Sequence, residues 1–248
     1  MSENLMSLTP ELVARVPPFE GTSGRLAGRT DRATETDWAA AADTLLADAP
    51  DTGEVWIFAY GSLIWNPEFE VAEERLGTIQ GWQRSFCQGW VRLYRGTPER
   101  PGLMLALDHG GSCQGLIFRL PSDAIRDNLL KILRREMPLK WTRLLPRWVT
   151  VETGDGPVRA IAFPVDRESD HYLAGLETAL VVEALATAAG ERGSMAEYLY
   201  NTITHLAGHG IHDSYLWEMQ ELVARRIAEG PPHPSDQLLA EAAEAARD

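Results

Sequence analysis

The sequence predicts an α+β protein built around a small, barrel-like β-sheet. Three observations indicate this fold class. Strand-like runs fill the middle of the chain, one helical pattern interrupts them, and further helical patterns occupy the C-terminal third. A fold of alternating βαβ units would instead distribute its helices evenly between the strands.

Three regions are expected along the chain. They are an N-terminal arm with a short helix at 1–53, a core domain at 54–228 and a C-terminal tail at 229–248. Residues 1–34 mix Pro, Gly, Thr and charged residues without a sustained period, which is typical of an extended arm. A short helix is predicted to follow, with Thr36 or Asp37 as its N-cap and a stop at Pro50. The tail is rich in Ala and Glu, and we expect it to be helical or frayed.

Six apolar, β-rich runs predict the strands of the core. They are residues 55–59, 78–90, 103–107, 113–120, 148–153 and 158–165. Gly110-Gly111 is expected to separate the third run from the fourth. Gly154-Asp155-Gly156 is expected to close a hairpin between the fifth and the sixth.

Four further patterns predict helices, at 122–137, 176–189, 194–207 and 213–228. Ser194 and Glu197 have the spacing of a capping box at the start of the third pattern. Gly230-Pro231-Pro232 is expected to end the last helix.

Composition narrows the classes of function and location. The chain has 23 Lys and Arg against 36 Asp and Glu, and its formal net charge of −13 disfavours binding to nucleic acid or to an anionic membrane surface. The two cysteines, Cys87 and Cys113, lack the spacing of zinc ligands and are expected to be reduced thiols. With no signal peptide pattern and no run of ~20 apolar residues, we expect a cytoplasmic protein.

Glu136 is the most informative charged residue. At ~100° per residue from Ile125, Leu129 lies near 40° and Glu136 near 20°, which places this carboxyl group in the apolar stripe of its helix. Burial and the negative end of the helix dipole both favour the neutral acid, so a pKa raised toward neutrality and an acid–base role are predicted. The alternative is a structural carboxylate, either partly solvated at the helix end or paired with an arginine such as Arg95 or Arg143.

Two loops offer candidate binding groups. Tyr60-Gly61-Ser62-Leu63 follows the first buried strand, and a sharp turn at Gly61 would expose successive N–H groups that bind carboxylates. A plain strand-to-loop turn is the alternative. Arg95 stands at the head of the turn Arg95-Gly96-Thr97-Pro98, where it either meets a substrate carboxylate or is one surface arginine among many.

Signatures of cofactor binding are missing from the sequence, and no cofactor is expected. The chain has no phosphate-binding loop, no dinucleotide fingerprint and no nucleophile elbow. His205, His209 and His212 have a spacing that resembles a metal site. Because Gly208 and Gly210 break the helix that would align them, we interpret them as residues at a helix C-terminus and predict no metal.

Five segments, taken in order, resemble the ChaC-type γ-glutamylcyclotransferases. They are Tyr60 to Pro67, Gly81 to Gly89, Arg95 to Gly102, Gly115 to Pro121 and Arg134 to Met137, and the segment Glu197-Tyr198-Leu199 also fits. The resemblance covers about residues 54–228. It implies a γ-glutamylcyclotransferase-like fold, which is a small mixed β-barrel flanked by helices. It also implies a carbon–nitrogen lyase that converts glutathione to 5-oxoproline and cysteinylglycine without metal or organic cofactor.

The resemblance also assigns roles to individual residues. It implies that Glu136 is the catalytic acid and base, and that the loop formed by Tyr60, Gly61, Ser62, Leu63 and Ile64 binds the substrate. Gln88, Arg95 and Tyr198 match motif positions and are further candidates for substrate binding.

Two other functions remain open at this point. One is a cyclotransferase for other γ-glutamyl amines or amino acids. The other is a non-enzymatic regulator of cation transport, which the lack of a membrane-facing helix or a basic patch disfavours. The sequence leaves the oligomeric state open.

Overall fold

The computed structural model describes residues 6–17, 19, 32–92, 94–138, 145–230 and 235–244. Internal contacts divide the chain into two compact units. One comprises residues 26–84 and 107–167 and is called the barrel unit here. The other comprises residues 1–25, 85–106 and 168–248 and is called the helical unit.

Five strands form a closed barrel in the order β1-β3-β2-β4-β5. Their bounds are β1 Trp56–Ala59, β2 Glu73–Val91, β3 Gly102–Arg119, β4 Arg147–Thr153 and β5 Gly156–Ala162. Strand β1 runs antiparallel to β3, with Trp56 opposite Arg119, and parallel to β5, with Trp56 opposite Ala160. The barrel is therefore mixed, and the predicted α+β class is confirmed.

The interior of the barrel is apolar because apolar and polar side chains alternate along its strands. Along β4, Val151 is fully buried while its neighbour Glu152 is exposed, because successive side chains of a strand point to opposite faces. The interior is filled by side chains from all five strands. These include Phe58, Ile79, Ile117, Val151 and Ala160.

Two predictions about turns have different outcomes. Strands β4 and β5 form the predicted hairpin, with Thr153 opposite Gly156. The predicted break at Gly110-Gly111 is wrong, since β3 runs through both residues. Their φ angles of +134° and +48° are ones that glycine adopts easily, so the backbone changes direction locally while the strand continues.

Among the described residues, two α-helices belong to the barrel unit. Helix α2, Glu35–Ala47, begins with Thr34 as its N-cap, two residues before the earlier of the predicted caps. The reason is a capping box in which Thr34 Oγ1 accepts from the N–H of Asp37 and the Asp37 carboxylate accepts from the N–H of Thr34. Helix α3, Ile125–Glu136, buries Leu129, Ile132 and Leu133.

The helical unit contains the other helices and a short two-stranded sheet. Their bounds are α1 Pro10–Val13, α4 Thr178–Thr187, β6 Ala189–Gly190, β7 Gly193–Ser194, α5 Met195–Gly208, α6 Ser214–Ala228 and α7 Asp236–Glu244. Leu8, in the predicted extended arm, is fully buried, and its N–H donates to Gln220 Oε1 at 2.8 Å. Part of the arm is therefore packed, and α7 lies within the predicted tail.

Both cysteines are buried, and Cys87 and Cys113 form no disulfide in the described part of the chain. Among the helices that the structure describes, none combines the length and apolar character that crossing a bilayer requires.

Candidate active site

Glu136 is the last residue of α3, where the apolar face of the helix ends. Only 18% of its side chain is exposed. Because helical spacing sets Glu136 on the same face as the buried Leu129 and Leu133, the carboxylate is drawn toward the protein interior as the sequence predicts.

The adjacent Arg135 forms an ion pair with this carboxylate. Arg135 Nε lies 3.2 Å from Glu136 Oε1, and only 13% of the arginine side chain is exposed. The raised pKa that the sequence predicts for Glu136 stays a prediction.

The loop after β1 is fixed by contacts at its first residue. The Tyr60 hydroxyl donates to Phe163 O at 3.0 Å, and the backbone carbonyl of Tyr60 accepts from Arg84 Nε at 2.7 Å. Arg84 itself is buried. Since the Tyr60 side chain points into the barrel core, it is the backbone beyond Tyr60 that this loop can offer to a ligand.

Beyond Tyr60 the loop forms a short 3-10 helix, Ser62–Ile64. The N–H of Ile64 donates to Gly61 O at 3.0 Å, and the N–H of Asn66 donates to Ser62 O at 2.9 Å. The first N–H groups of such a turn, at Ser62 and Leu63, have no acceptor within the helix itself. Because the Ile64 N–H already donates to Gly61 O, the candidate backbone donors to a ligand in this loop are the N–H groups of Gly61, Ser62 and Leu63.

Arg135 joins this loop to the end of α3. Its Nη2 donates to Ser62 Oγ at 3.0 Å, its Nη1 donates to Asn66 O, and Glu68 Oε2 lies 3.7 Å from the same nitrogen. One guanidinium group therefore contacts both the predicted catalytic carboxylate and the predicted substrate loop.

Sequence reasoning missed this role of Arg135. At ~100° per residue from Ile125, Arg135 lies near 280°, outside the apolar stripe, which is typical of a solvent-exposed arginine. What pointed to Arg135 in the sequence was its position beside Glu136 in the motif from Arg134 to Met137. The contacts to Ser62 and Asn66 join positions about seventy residues apart, and periodicity within one helix cannot predict them.

The other three predicted binding residues, Gln88, Arg95 and Tyr198, lie in the helical unit. Gln88 on β2 is half-buried, and its backbone pairs with that of Tyr172 in a single antiparallel β-bridge. Arg95 Nη1 lies 3.2 Å from Glu197 Oε2 and donates to Ser194 O at 2.8 Å.

Arg95 also lies over an aromatic ring. Its guanidinium carbon is 5.4 Å from the ring centroid of Tyr198, which is a cation–π distance. Burial lowers the pKa of the Arg95 guanidinium, and the Glu197 carboxylate opposes that shift.

Glu197 is the residue predicted to complete a capping box with Ser194. The Ser194 hydroxyl does accept from the N–H of Glu197, but the Glu197 carboxylate contacts Arg95.

The three histidines lie around the end of α5. His205 is in the last turn with Nδ1 2.7 Å from Asn201 O, His209 is the C-cap, and the His212 ring stacks on Trp217 with centroids 4.8 Å apart. Within the described ranges, no group of three or more His, Cys, Asp or Glu side chains is arranged to hold a metal ion.

Comparison with known proteins gives a consistent result. The family model described as ChaC-like protein matches residues 55–226. A protein of Escherichia coli strain K12, named glutathione-specific gamma-glutamylcyclotransferase, is 38% identical over 197 residues, which are 78% of this chain and 83% of that protein. An Arabidopsis thaliana protein named gamma-glutamylcyclotransferase 2-3 is 29% identical over 71% of this chain and 91% of its own length.

A solved structure supports the same fold. The crystal structure of a yeast γ-glutamyl cyclotransferase specific to glutathione superposes with a TM-score of 0.63. The match covers 69% of this chain and 96% of the yeast chain, at 18% identity.

Proposed function

Because the chain belongs to the ChaC-like protein family, we propose that it is a glutathione-specific γ-glutamylcyclotransferase. The proposed reaction converts glutathione to 5-oxoproline and cysteinylglycine. The observation that carries this proposal is the contact of one guanidinium, that of Arg135, with both the Glu136 carboxylate and the Ser62 hydroxyl. The name of the Escherichia coli relative supports the choice of substrate.

The proposed chemistry is intramolecular. The α-amine of a γ-glutamyl group attacks its own γ-carbonyl carbon, and the C–N bond to the cysteinyl nitrogen breaks as the five-membered ring closes. Holding the glutamyl chain in its folded-back conformation removes most of the entropic cost of this attack. The enzyme must then hold the substrate and carry a proton from the attacking nitrogen to the departing one, which requires neither a redox step nor an external nucleophile.

Glu136 is the proposed proton carrier. As a carboxylate it takes a proton from the α-ammonium group, which frees the nitrogen lone pair for attack. It then returns that proton to the departing amide nitrogen, so that cysteinylglycine leaves as a neutral amine. The second proton that the attacking nitrogen loses as the lactam forms passes to water. A carboxyl group within reach of both nitrogens can perform both steps, since it can accept a proton as the carboxylate and donate it as the acid.

The loop after β1 is proposed to bind the oxygens of the γ-glutamyl group. The donors are the N–H groups of Gly61, Ser62 and Leu63, which would meet the α-carboxylate and the oxygen of the γ-carbonyl. Arg135 contacts this loop through the Ser62 hydroxyl, and its guanidinium also contacts the carboxylates of Glu136 and Glu68. The substrate-binding roles of Tyr60, Ile64, Gln88, Arg95 and Tyr198 stay predictions.

Substitution of Glu136 tests the assignment. Glu136→Gln keeps the shape of the side chain and removes the proton carrier, so kcat for release of 5-oxoproline from glutathione is expected to fall about 10²- to 10⁴-fold. Asp127→Asn makes the same chemical change in the first turn of α3, at an exposed position, and serves as the control. Near-normal turnover by Glu136→Gln would overturn the proposed mechanism.

A comparison of two substrates distinguishes a glutathione-specific enzyme from a cyclotransferase for other γ-glutamyl amines. Glutathione and γ-glutamyl-alanine are compared by kcat/KM in the wild-type protein. A preference for γ-glutamyl-alanine would favour a cyclotransferase for other γ-glutamyl amines, as the broader name of the Arabidopsis relative allows.

We also propose that residues 54–228 form the catalytic domain and that the protein is cytoplasmic. The family match to residues 55–226 supports the boundaries of that domain. The buried thiols of Cys87 and Cys113 suit a reducing compartment. The strongly negative charge supports a protein without nucleic-acid or anionic-membrane partners.

A further inference from the structure

Helix α2 lies before the residues that the family model matches, and it runs antiparallel to α3. Arg134 at the end of α3 pairs with Glu35 at the start of α2, through bonds of 3.0 and 2.6 Å. Arg126 at the start of α3 pairs with Asp43 toward the end of α2, at 3.0 Å. The two ion pairs therefore tie α2 to both ends of the helix that carries Glu136.

The start of α2 also contacts the backbone that directly follows Glu136. Trp38 Nε1 donates to Met137 O at 2.8 Å, and the N–H of Ala33 donates to Pro138 O at 3.2 Å. Carbonyls at a helix C-terminus have no partner within the helix. Here, two carbonyls next to Glu136 receive donors from a segment about a hundred residues earlier.

Trp38 is held in place for this contact. The guanidinium carbon of Arg134 lies 5.9 Å from the Trp38 ring centroid, and the same Arg134 forms the ion pair with Glu35. The opposite end of α2 is anchored to the barrel, where Trp148 Nε1 donates to Leu45 O at 2.9 Å.

We propose that α2 is a positioning element for the catalytic carboxylate, with Trp38 and Glu35 as its positioning residues. Their contacts fix the last turn of α3 from one side, and Arg135 links that turn to the substrate loop from the other. The proposal rests on the proposed function, since it gives Glu136 the role of proton carrier. It also assigns a task to a part of the chain that the family match does not cover.

Two tryptophan variants form a matched test. Trp38→Phe removes an indole N–H next to Glu136, and Trp148→Phe removes one from a bond of nearly equal length at the far end of α2. Trp38→Phe is expected to lower kcat for 5-oxoproline release about 3- to 10-fold with KM unchanged. Trp148→Phe is expected to leave both constants unchanged.

Two carboxylate variants repeat the comparison on exposed ion pairs, where folding is not at risk. Glu35→Gln removes the pair near Glu136, and Asp43→Asn removes the pair at the far end. A kcat lowered about 2- to 5-fold is expected for Glu35→Gln. Asp43→Asn is expected to match the wild type.

Amide hydrogen exchange tests the proposal without relying on turnover. The N–H of Met137 donates to Leu133 O at 2.8 Å in the last turn of α3. Trp38→Phe is expected to speed exchange of this amide about 5-fold, and Trp148→Phe is expected not to.

The outcomes separate the two hypotheses. Wild-type kcat and wild-type exchange in Trp38→Phe, or equal losses in Trp38→Phe and Trp148→Phe, would overturn the positioning role. Failure of the wild-type protein to release 5-oxoproline from glutathione would overturn the proposed function instead, and normal turnover by Glu136→Gln would overturn the role of Glu136. In either case the exchange result would still decide whether α2 holds the end of α3.

Discussion

Replacing Arg135 with methionine is expected to lower kcat/KM for glutathione about 10- to 100-fold. Methionine keeps much of the apolar stem of arginine but removes the guanidinium. The variant loses the 3.0 Å bond to Ser62 Oγ, the bond to Asn66 O and the 3.2 Å contact with Glu136. The loop and the carboxylate would then no longer share a partner.

The magnitude follows from the burial of these groups. A hydrogen bond from a charged donor contributes about 1.5–3 kcal/mol, and with only 13% of the Arg135 side chain exposed, little water can replace it. Loss of one such contact from the reacting arrangement corresponds to about one to two powers of ten in rate. The folded state should persist, because natural domains are stable by about 5–15 kcal/mol.

The assay measures 5-oxoproline release over a range of glutathione concentrations, with urea unfolding as a check of stability. Lys131→Met is the matched control, since Lys131 lies one turn earlier on α3 and its exposed ammonium pairs with Glu70 at 3.1 Å. Arg135→Lys tests geometry against charge. The single ammonium of lysine cannot form the several hydrogen bonds that the planar guanidinium of arginine forms. The kcat/KM of Arg135→Lys should therefore exceed that of Arg135→Met by less than about tenfold.

One result would refute the reasoning. If Arg135→Met and Lys131→Met both retained kcat/KM within about threefold of the wild type, the guanidinium would not be organising the site.

Two further predictions concern the helical unit. Burial raises the pKa of the Tyr215 hydroxyl, which accepts from the N–H of Phe86 at 3.2 Å. Stability from this group is present below its unfolded pKa of about 10 and is lost as pH rises further, because the unfolded state releases the proton first. Tyr215→Phe should therefore flatten the alkaline loss of stability in urea unfolding measured from pH 8 to 11, and an unchanged slope would contradict this. Arg226 forms two bonds of 2.7 and 3.0 Å with Glu183 of α4, where only 12% of the glutamate side chain is exposed, so Arg226→Met should lower the free energy of unfolding by about 1–3 kcal/mol. Arg225→Met breaks an exposed pair within α6 and should cost less than about 0.5 kcal/mol, and equal losses in the two variants would refute the distinction.

Local patterns predicted the helices well, because helical period and capping act within a few residues. The predicted helix at 213–228 corresponds to α6, Ser214–Ala228, and the side chain of its N-cap Asp213 accepts from the N–H of Leu216. The direction of Glu136 followed from the same period. The hairpin at Gly154-Asp155-Gly156 is likewise a local feature, since two-residue connections demand glycine-rich sequences.

Predictions were weaker where distant segments decide the outcome. Gly110 and Gly111 indicated a break, but pairing with neighbouring strands carries β3 through both residues. Arg95 stays a candidate for binding a substrate carboxylate, but its contact with Glu197, which lies 102 residues later, was not predicted. Neither outcome is encoded in the residues next to these positions.

The sequence by itself determined the α+β class, the helix that carries Glu136 and the inward direction of that carboxylate. Each of these depends on spacing within one element, which is read directly from the order of residues. The tertiary structure alone decided that Arg135 joins Glu136 to Ser62, and that Trp38 and Glu35 hold the end of α3. Such contacts link residues about seventy to a hundred positions apart, and they exist only once the barrel has closed and α2 has packed along α3.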